Sequence, residues 1–298
     1  MRFRASIDNV NTFHRIIQTI EKLQKKCIIK FTENEMHIIC NTDDSGVQVW
    51  SQIRVVALFS DYRVQSNSNN EISIALSTDA LSQVLRSAAA QNAGAEDIVM
   101  KLAKKNDSPV LSFEIHGATR MGRKVKVAHD VRIDIIKPAD VDRMKEPLCP
   151  EPDAHILLPS LAKVRTIVDR LRLLTDVIAV RANNAGKLQI SAETESAKMD
   201  VVWEGCSNPR MAEDNPSQRR ADGDQDSDEE REKPDPDHMF GVLVHTRSFL
   251  KFLNAHIVSN TTIACVCQNH CMILYVYIGE VADAGGVLTF YIPAVLDD

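Results

Sequence analysis

Cys265, Cys267, His270 and Cys271 form the motif C-x-C-x-x-H-C, the spacing in the chain richest in possible chemistry. Thiolates and an imidazole are zinc ligands, but structural zinc sites usually join two close pairs across a longer loop. Here all four lie together across what reads as a hairpin turned at Gln268–Asn269. Alternate strand residues share a face, so Cys265 and Cys267 point the same way while the rest of the geometry is strained. The expectation is that these cysteines pack as small hydrophobes and that no metal is bound.

Catalytic chemistry finds as little support. There is no G-x-S-x-G elbow, P-loop or dinucleotide fingerprint. His14, His37, His116, His129 and His155 are scattered without partners at a telling spacing. A nuclease needs clustered metal-binding acids, and none is visible. A β-rich hydrolase, the alternative from another class, would need a cleft carboxylate or histidine that the sequence does not display. The acids concentrate instead between residues 207 and 238. That segment holds eleven acidic and five basic residues, four prolines, and no Ile, Leu, Val, Phe, Tyr or Trp. It cannot bury enough apolar surface to offset its chain entropy, so it is expected to be disordered. Within it, Ser227 precedes Asp228, Glu229 and Glu230, an acid-directed kinase context. The segment also reads as an electrostatic guard that repels other anions, or as a solubility device.

The segment alone accounts for the formal net charge of −6, so the remaining body is neutral. Hydrophobic residues at 44 % and charged residues at 26 % give an ordinary globular balance. No apolar run approaches the ~20 residues that cross a bilayer. The opening MRFRASIDNV reads as a strand rather than an export signal. Seven scattered cysteines, an odd number, fit a reducing compartment. Pro138, Pro147, Pro150 and Pro152 mark a stiff linker over 138–153. It joins a domain at 1–137 to one at 154–298.

Both halves show the same pattern. Val10 to Leu23 carries apolar residues at Phe13, Ile16, Ile17, Ile20 and Leu23, the stripe of an amphipathic helix. Leu81, Val84, Leu85 and Ala88 make a second stripe, Val164, Ile167, Val168 and Leu171 a third, and Phe249, Phe252 and Leu253 a fourth. Short strand-like runs separate them. A strand–helix–strand–strand–strand unit thus appears four times, which predicts an α+β protein with sheets packed on one stripe of each helix. The helix segments 9–26, 77–92, 160–173 and 245–256 together carry eleven basic residues against three acids. If these helices line one concave surface, it tracks a polyanion through phosphate contacts without sequence readout. No aromatic stacking platform accompanies them.

MRFRASI, VQVW, HDVRIDII (129–136), EPLCPEPD (146–153) followed by HILLP, and FYIPA (290–294) are the motifs by which the chain resembles a known family. It resembles the Hus-one subunit of the heterotrimeric nine-one-one checkpoint sliding clamp, a relative of proliferating cell nuclear antigen. The resemblance covers nearly the whole chain, apart from the acidic segment. It implies a sliding-clamp fold with two pseudo-symmetric domains of two units each. Helices would lie on the inner face of a ring and antiparallel sheets outside. It implies a non-catalytic, nuclear clamp subunit without cofactors that encircles duplex DNA at damage sites. Its partners would be two other clamp subunits, a clamp loader, and checkpoint and repair factors. The alternative within the class is a homotrimeric replication processivity clamp. The implied DNA-facing residues are Arg15, Lys22, Lys25, Lys26, Arg86, Lys163, Arg170, Arg247 and Lys251. The implied subunit interface is Val110, Leu111, Phe113 and Ile115 on one edge strand, with Lys198, Met199, Val201 and Trp203 on the other. The implied partner pocket under the connector comprises Cys40, Val47, Val49, Met144, Leu148, Tyr291, Pro293 and Ala294.

Overall fold

The computed structural model describes all residues except 42–45, 92–94, 119–123, 142, 210–234, 281–283 and 296–298. Most of the acidic segment, Ser227 included, lies outside the described residues. The first unit is β1 (Arg2–Ile7), α1 (Val10–Leu23), β2 (Lys26–Phe31), β3 (Glu35–Cys40) and β4 (Gln48–Arg54). A one-turn helix α2 (Val55–Leu58) and a strand β5 (Phe59–Gln65) follow it. The second is β6 (Ile72–Ser77), α3 (Thr78–Gln91), β7 (Ala95–Lys105), β8 (Ser108–Ala118) and β9 (Lys124–Ile136). After the one-turn α4 (Pro138–Val141) the chain runs extended into the third unit: β10 (Ala154–Leu157), α5 (Leu161–Leu171), β11 (Val177–Ala182), β12 (Leu188–Glu193) and β13 (Lys198–Trp203). The fourth is β14 (Phe240–His245), α6 (Thr246–Leu253), β15 (Thr262–Cys267), β16 (Cys271–Ile278) and β17 (Gly286–Pro293), with a 3₁₀ turn at Asn254–Ile257.

All strand pairs are antiparallel. They form a thirteen-stranded sheet, in the order β10-β15-β16-β17-β4-β3-β2-β6-β9-β8-β7-β1-β5, and a four-stranded sheet, β13-β12-β11-β14. The units interlock: β1 pairs with β7 of the second unit, and β6 lies between β2 and β9. The two halves meet where β17 pairs with β4, Gly286 opposite Ile53 through Tyr291 opposite Gln48. A side chain at Gly286 could not fit there, because a Cβ would sit 2.6 Å from the Gln52 carbonyl oxygen.

The helices form one layer. α1 packs on α3, on α6 and on the 3₁₀ turn, and α5 packs on α6 and the same turn. Each turns its apolar stripe to the sheets. Phe13, Ile16, Ile17 and Ile20 of α1 are fully buried, as are Val164, Val168 and Leu171 of α5 and Phe252 and Leu253 of α6. Fully burying such a side chain contributes roughly 1.5–3 kcal/mol, so the stripes fix which helix face remains for solvent. Asn9 caps α1, its Oδ1 accepting from the Thr12 N–H at 3.2 Å. The helix ends at Leu23, since Gln24 is already extended at φ −145 and ψ 148.

Candidate nucleic-acid interface and partner surfaces

The outward side of the helix layer carries the predicted cations. Arg15, Lys22, Arg86, Lys163, Arg170 and Arg247 are exposed, and Lys251 is partly so. Lys25 and Lys26 are exposed too, but not on the helix face expected of them. They follow the helix end: Lys25 lies between α1 and β2, its carbonyl accepting from the Thr78 N–H at 3.0 Å, and Lys26 is the first residue of β2, paired with Ser77. The acids nearby are few: Glu21 lies 3.7 Å from Lys22, and Asp169 lies 3.8 Å from Arg165. Arg165 also donates to Asn254 Oδ1 at 2.9 Å, tying α5 to the 3₁₀ turn.

One group on this face escapes sequence reasoning. His14 shares the α1–α3 junction with Arg86. Burial, and then the Arg86 guanidinium, hold its imidazole below the usual histidine range, while Glu21 pulls the other way. Its i, i+7 spacing to Glu21 is a signal the sequence carries, but nothing local places Arg86 opposite.

The strand edges require a correction. Val110, Leu111, Phe113 and Ile115 are at most 5 % exposed, and their strand β8 is bonded on both sides, to β7 and to β9. It offers no free backbone groups. The open edge belongs to β9, which pairs with β8 along 124–132 and reaches β6 only over 133–136. β13 has one partner among the described strands, β12, and so presents an edge. Lys198 and Met199 are exposed there, and Val201 and Trp203 are partly covered. Apolar exposure gathers on both edges, at Val125, Met199 and Val202.

The expected partner pocket is also rearranged. Cys40, Val47 and Val49 are core residues, at most 2 % exposed, because their positions on and beside β3 and β4 face inward. Leu148 stands free on the connector at 98 % exposure. Pro293 and Ala294 border a different recess, of about 690 Å³, with Asp176, His245, Arg247 and Lys251. The space beneath the connector is a recess of about 480 Å³ lined by Ile39, Trp50, Val141, Met144, Glu146 and Val287 among others. Of the expected set only Met144 lines it. Lys30 and His37 also reach it; Lys30 is held by Glu71 at 2.8 Å, and His37 lies 3.3 Å from Glu35.

The connector is strapped down beside this recess. The Tyr291 hydroxyl donates to Glu146 at 2.6 Å, and burial, with that carboxylate, pushes the phenol above its usual range. The Cys267 thiol donates to the Pro150 carbonyl at 3.6 Å, and the Gln268 N–H to Asp153 at 2.7 Å. Cys149, Cys265, Cys267 and Cys271 pack together on this outer face with Ile263 and Ile273. Burial pushes Cys149 and Cys265 up to about 12, which keeps both as neutral thiols. Among the described residues no group of three or more His, Cys, Asp or Glu could hold a metal ion. No described helix is long and apolar enough to cross a membrane.

A helix layer backed by interlocked antiparallel sheets, in two halves of like topology, defines the sliding-clamp fold. Two solved structures share it over almost their full lengths. Proliferating Cellular Nuclear Antigen from Entamoeba histolytica aligns with a TM-score of 0.69 at 13 % identity, covering 99 % of each chain. PCNA from Thermococcus kodakaraensis aligns with a TM-score of 0.67 at 17 % identity, covering 98 % of this chain and 99 % of that one. The chain belongs to the Hus1-like protein family, whose model matches residues 1–296. It is 33 % identical over 305 residues to checkpoint protein hus1 of Schizosaccharomyces pombe, covering 100 % of both chains. It is 28 % identical over 302 residues to checkpoint protein HUS1 of Homo sapiens, covering 99 % of this chain and 100 % of that one.

Proposed function

We propose that this chain is one of three different subunits of a ring that encircles duplex DNA at damage sites. It serves there as a platform for checkpoint signalling and repair. The observation that carries the reading is the single helix layer with exposed Arg15, Lys22, Arg86, Lys163, Arg170 and Arg247 on its solvent side. Such a surface suits phosphates and reads no bases, so it can hold DNA loosely and slide. β9 and β13 are the edges by which neighbours join, since unpaired strand edges recruit another strand. A head-to-tail contact of this kind closes a ring when its rotation fits. The recess beneath the connector receives apolar side chains of short partner peptides. The chain works without catalysis or cofactor, in the nucleus, and the ATP chemistry of ring opening belongs to a separate loader.

The test has two parts. Tagged chain purified from its cells, with its companions identified by mass spectrometry, should bring down two further clamp-fold chains. Recovery of copies of itself alone points instead to a homotrimeric replication clamp. In the assembled ring, the combined change Arg15→Ala, Lys22→Ala and Lys163→Ala, all exposed on α1 and α5, should leave the ring intact and flatten the salt dependence of DNA binding. The expected flattening is about 0.9 in the log–log slope for each phosphate no longer neutralised. An unchanged slope counts against the helix layer as the DNA-facing surface.

A further inference from the structure

The outer face of the first-half sheet carries a row of charge that the fold itself does not require. In β1, Phe3 and Ala5 turn to the helices and are buried, so Arg2 and Arg4 alternate onto the opposite face, where both are exposed. Arg4 pairs with the exposed Arg63 of β5 on one side and with Lys101 of β7 on the other. Three cations thus stand side by side across three antiparallel strands, and like charges directly opposite each other destabilise such pairs. The lysines of this face have acids: Lys101 reaches Glu114 at 2.6 Å, and Lys105 reaches Asp130 at 2.6 Å. Among the described residues Arg2, Arg4 and Arg63 have neither an ion pair nor a side-chain hydrogen bond. β5 has β1 as its one partner among the described strands, and a charge on such an edge blunts unwanted pairing. That accounts for Arg63 alone, because β1 is an interior strand.

The second half shows what the equivalent face can hold. Ala5 and Ile156 each stand five residues before the first residue of their helix, Val10 and Leu161, and they pair with Met100 and Ala264. His155 and Cys265 therefore take the places of Arg4 and Lys101. From Cys265 the row continues through Ile273 to Tyr291. It is apolar, and the extended connector lies on it, with Cys149 packed against the cluster and Glu146 held by Tyr291. No described segment covers the first-half row in this way. Its arginines stay exposed, and their charge selects an anionic occupant.

We propose that Arg2, Arg4 and Arg63 dock a phosphorylated segment of a partner protein on the outer sheet, with one phosphate bridging Arg4 and Arg63. Cβ atoms directly across an antiparallel pair lie about 4.5–5.5 Å apart, close enough for two guanidinium groups to converge on one anion. A phosphorylated serine or threonine brings nearly two negative charges and three strong acceptor oxygens. It answers both guanidinium groups at once, where a carboxylate brings a single charge. Arg2, two residues along the same face, meets a second anionic group of the segment. Such a phosphate relieves the repulsion along the row. The proposal rests on the platform reading only for the partner's role in signalling; the face itself belongs to the single chain.

Two fluorescent peptide pools test it, random at the flanks and identical but for a phosphate on the central serine, each titrated with the full-length chain. The phosphorylated pool is expected to bind more tightly by about tenfold or more. Arg4→Ala or Arg63→Ala should weaken its binding about tenfold, the loss of one charge-assisted hydrogen bond. Arg63→Glu should abolish binding and raise the melting temperature, because it sets opposite charges across β1 and β5. The combined change Arg15→Ala, Lys22→Ala and Lys163→Ala on the helix layer should leave peptide binding unchanged. Equal binding of the two pools overturns the proposal, as does binding indifferent to Arg4 and Arg63 or lost in the helix-layer variant. A lower melting temperature in Arg63→Glu also overturns it, since the arginines would then serve the fold. So does duplex DNA held through the same arginines more tightly than the phosphorylated pool. None of these outcomes touches the ring, which is read separately from the chains that co-purify and from the salt dependence of its DNA binding.

Discussion

The seam between β17 and β4 and the open edges of β9 and β13 differ in one respect: the seam is a strand pair within the chain, and each open edge lacks such a partner among the described strands. In the seam the partners belong to one chain, and Phe290 is fully buried with its ring centroid 5.2 Å from that of Phe252. At the open edges β9, over 124–132, and β13 are each paired on one side only among the described strands, with Val125, Met199 and Val202 left in solvent. In the proposed ring, strand pairing of the kind that joins the halves of one chain would also join one molecule to the next.

The largest contrast is expected at the seam. Phe290→Ala should lower stability by about 3–5 kcal/mol, read as a shifted denaturant midpoint. Val127→Ala at the open edge should change the monomer by less than about 1 kcal/mol. Equal losses would mean that the open edge is packed as firmly in the monomer as the seam. A smaller effect is expected beside the seam, where Tyr291 holds the connector. Tyr291→Phe removes one hydrogen bond, a loss of about 1 kcal/mol, and should expose the connector to faster proteolytic cleavage. Unchanged cleavage would place the restraint elsewhere in the strap.

The smallest effect concerns pH and Glu114 of β8, the strand next to the open edge. Hydrogen bonds from Lys101 and Lys126 hold the Glu114 carboxyl at about 2, below its ordinary 4.5. A carboxyl depressed in the folded state stabilises above its unfolded value, and the contribution drains away as pH falls from about 4.5 toward 2. Glu114→Gln should flatten the stability profile in that window. An identical profile would show that the lysine contacts do not persist in solution.

The helices are legible in the sequence because their stripes are periodic and long. Phe13, Ile16, Ile17 and Ile20 announce α1, but its end at Leu23 is not announced. Lys25 and Lys26 are compatible with a helix or a turn, and no glycine or proline marks the stop. Strands are legible as segments and illegible as neighbours. β8 and β9 both alternate apolar and polar residues, and which one is interior depends on pairings with β7 and β6 that are distant in sequence. β5 does not separate from the end of β4 on pattern alone, because the one-turn α2 carries too few residues to show a period. At the pocket, Cys40, Val47 and Val49 have suitable residue types, but their inward orientation follows from the register with β17. The recess itself depends on Trp50 and Val287, brought together only by the seam.

Which layer faces the nucleic acid, the helices or the outer sheet, decides the proposed function. Photo-crosslinking on the assembled, DNA-loaded ring answers this, with a reactive side chain placed at Lys22 on the helix layer or at Gln52 on the outer sheet. Efficient crosslinks to DNA from position 22 and none from position 52 are predicted; crosslinks from position 52 with none from position 22 would overturn the proposal.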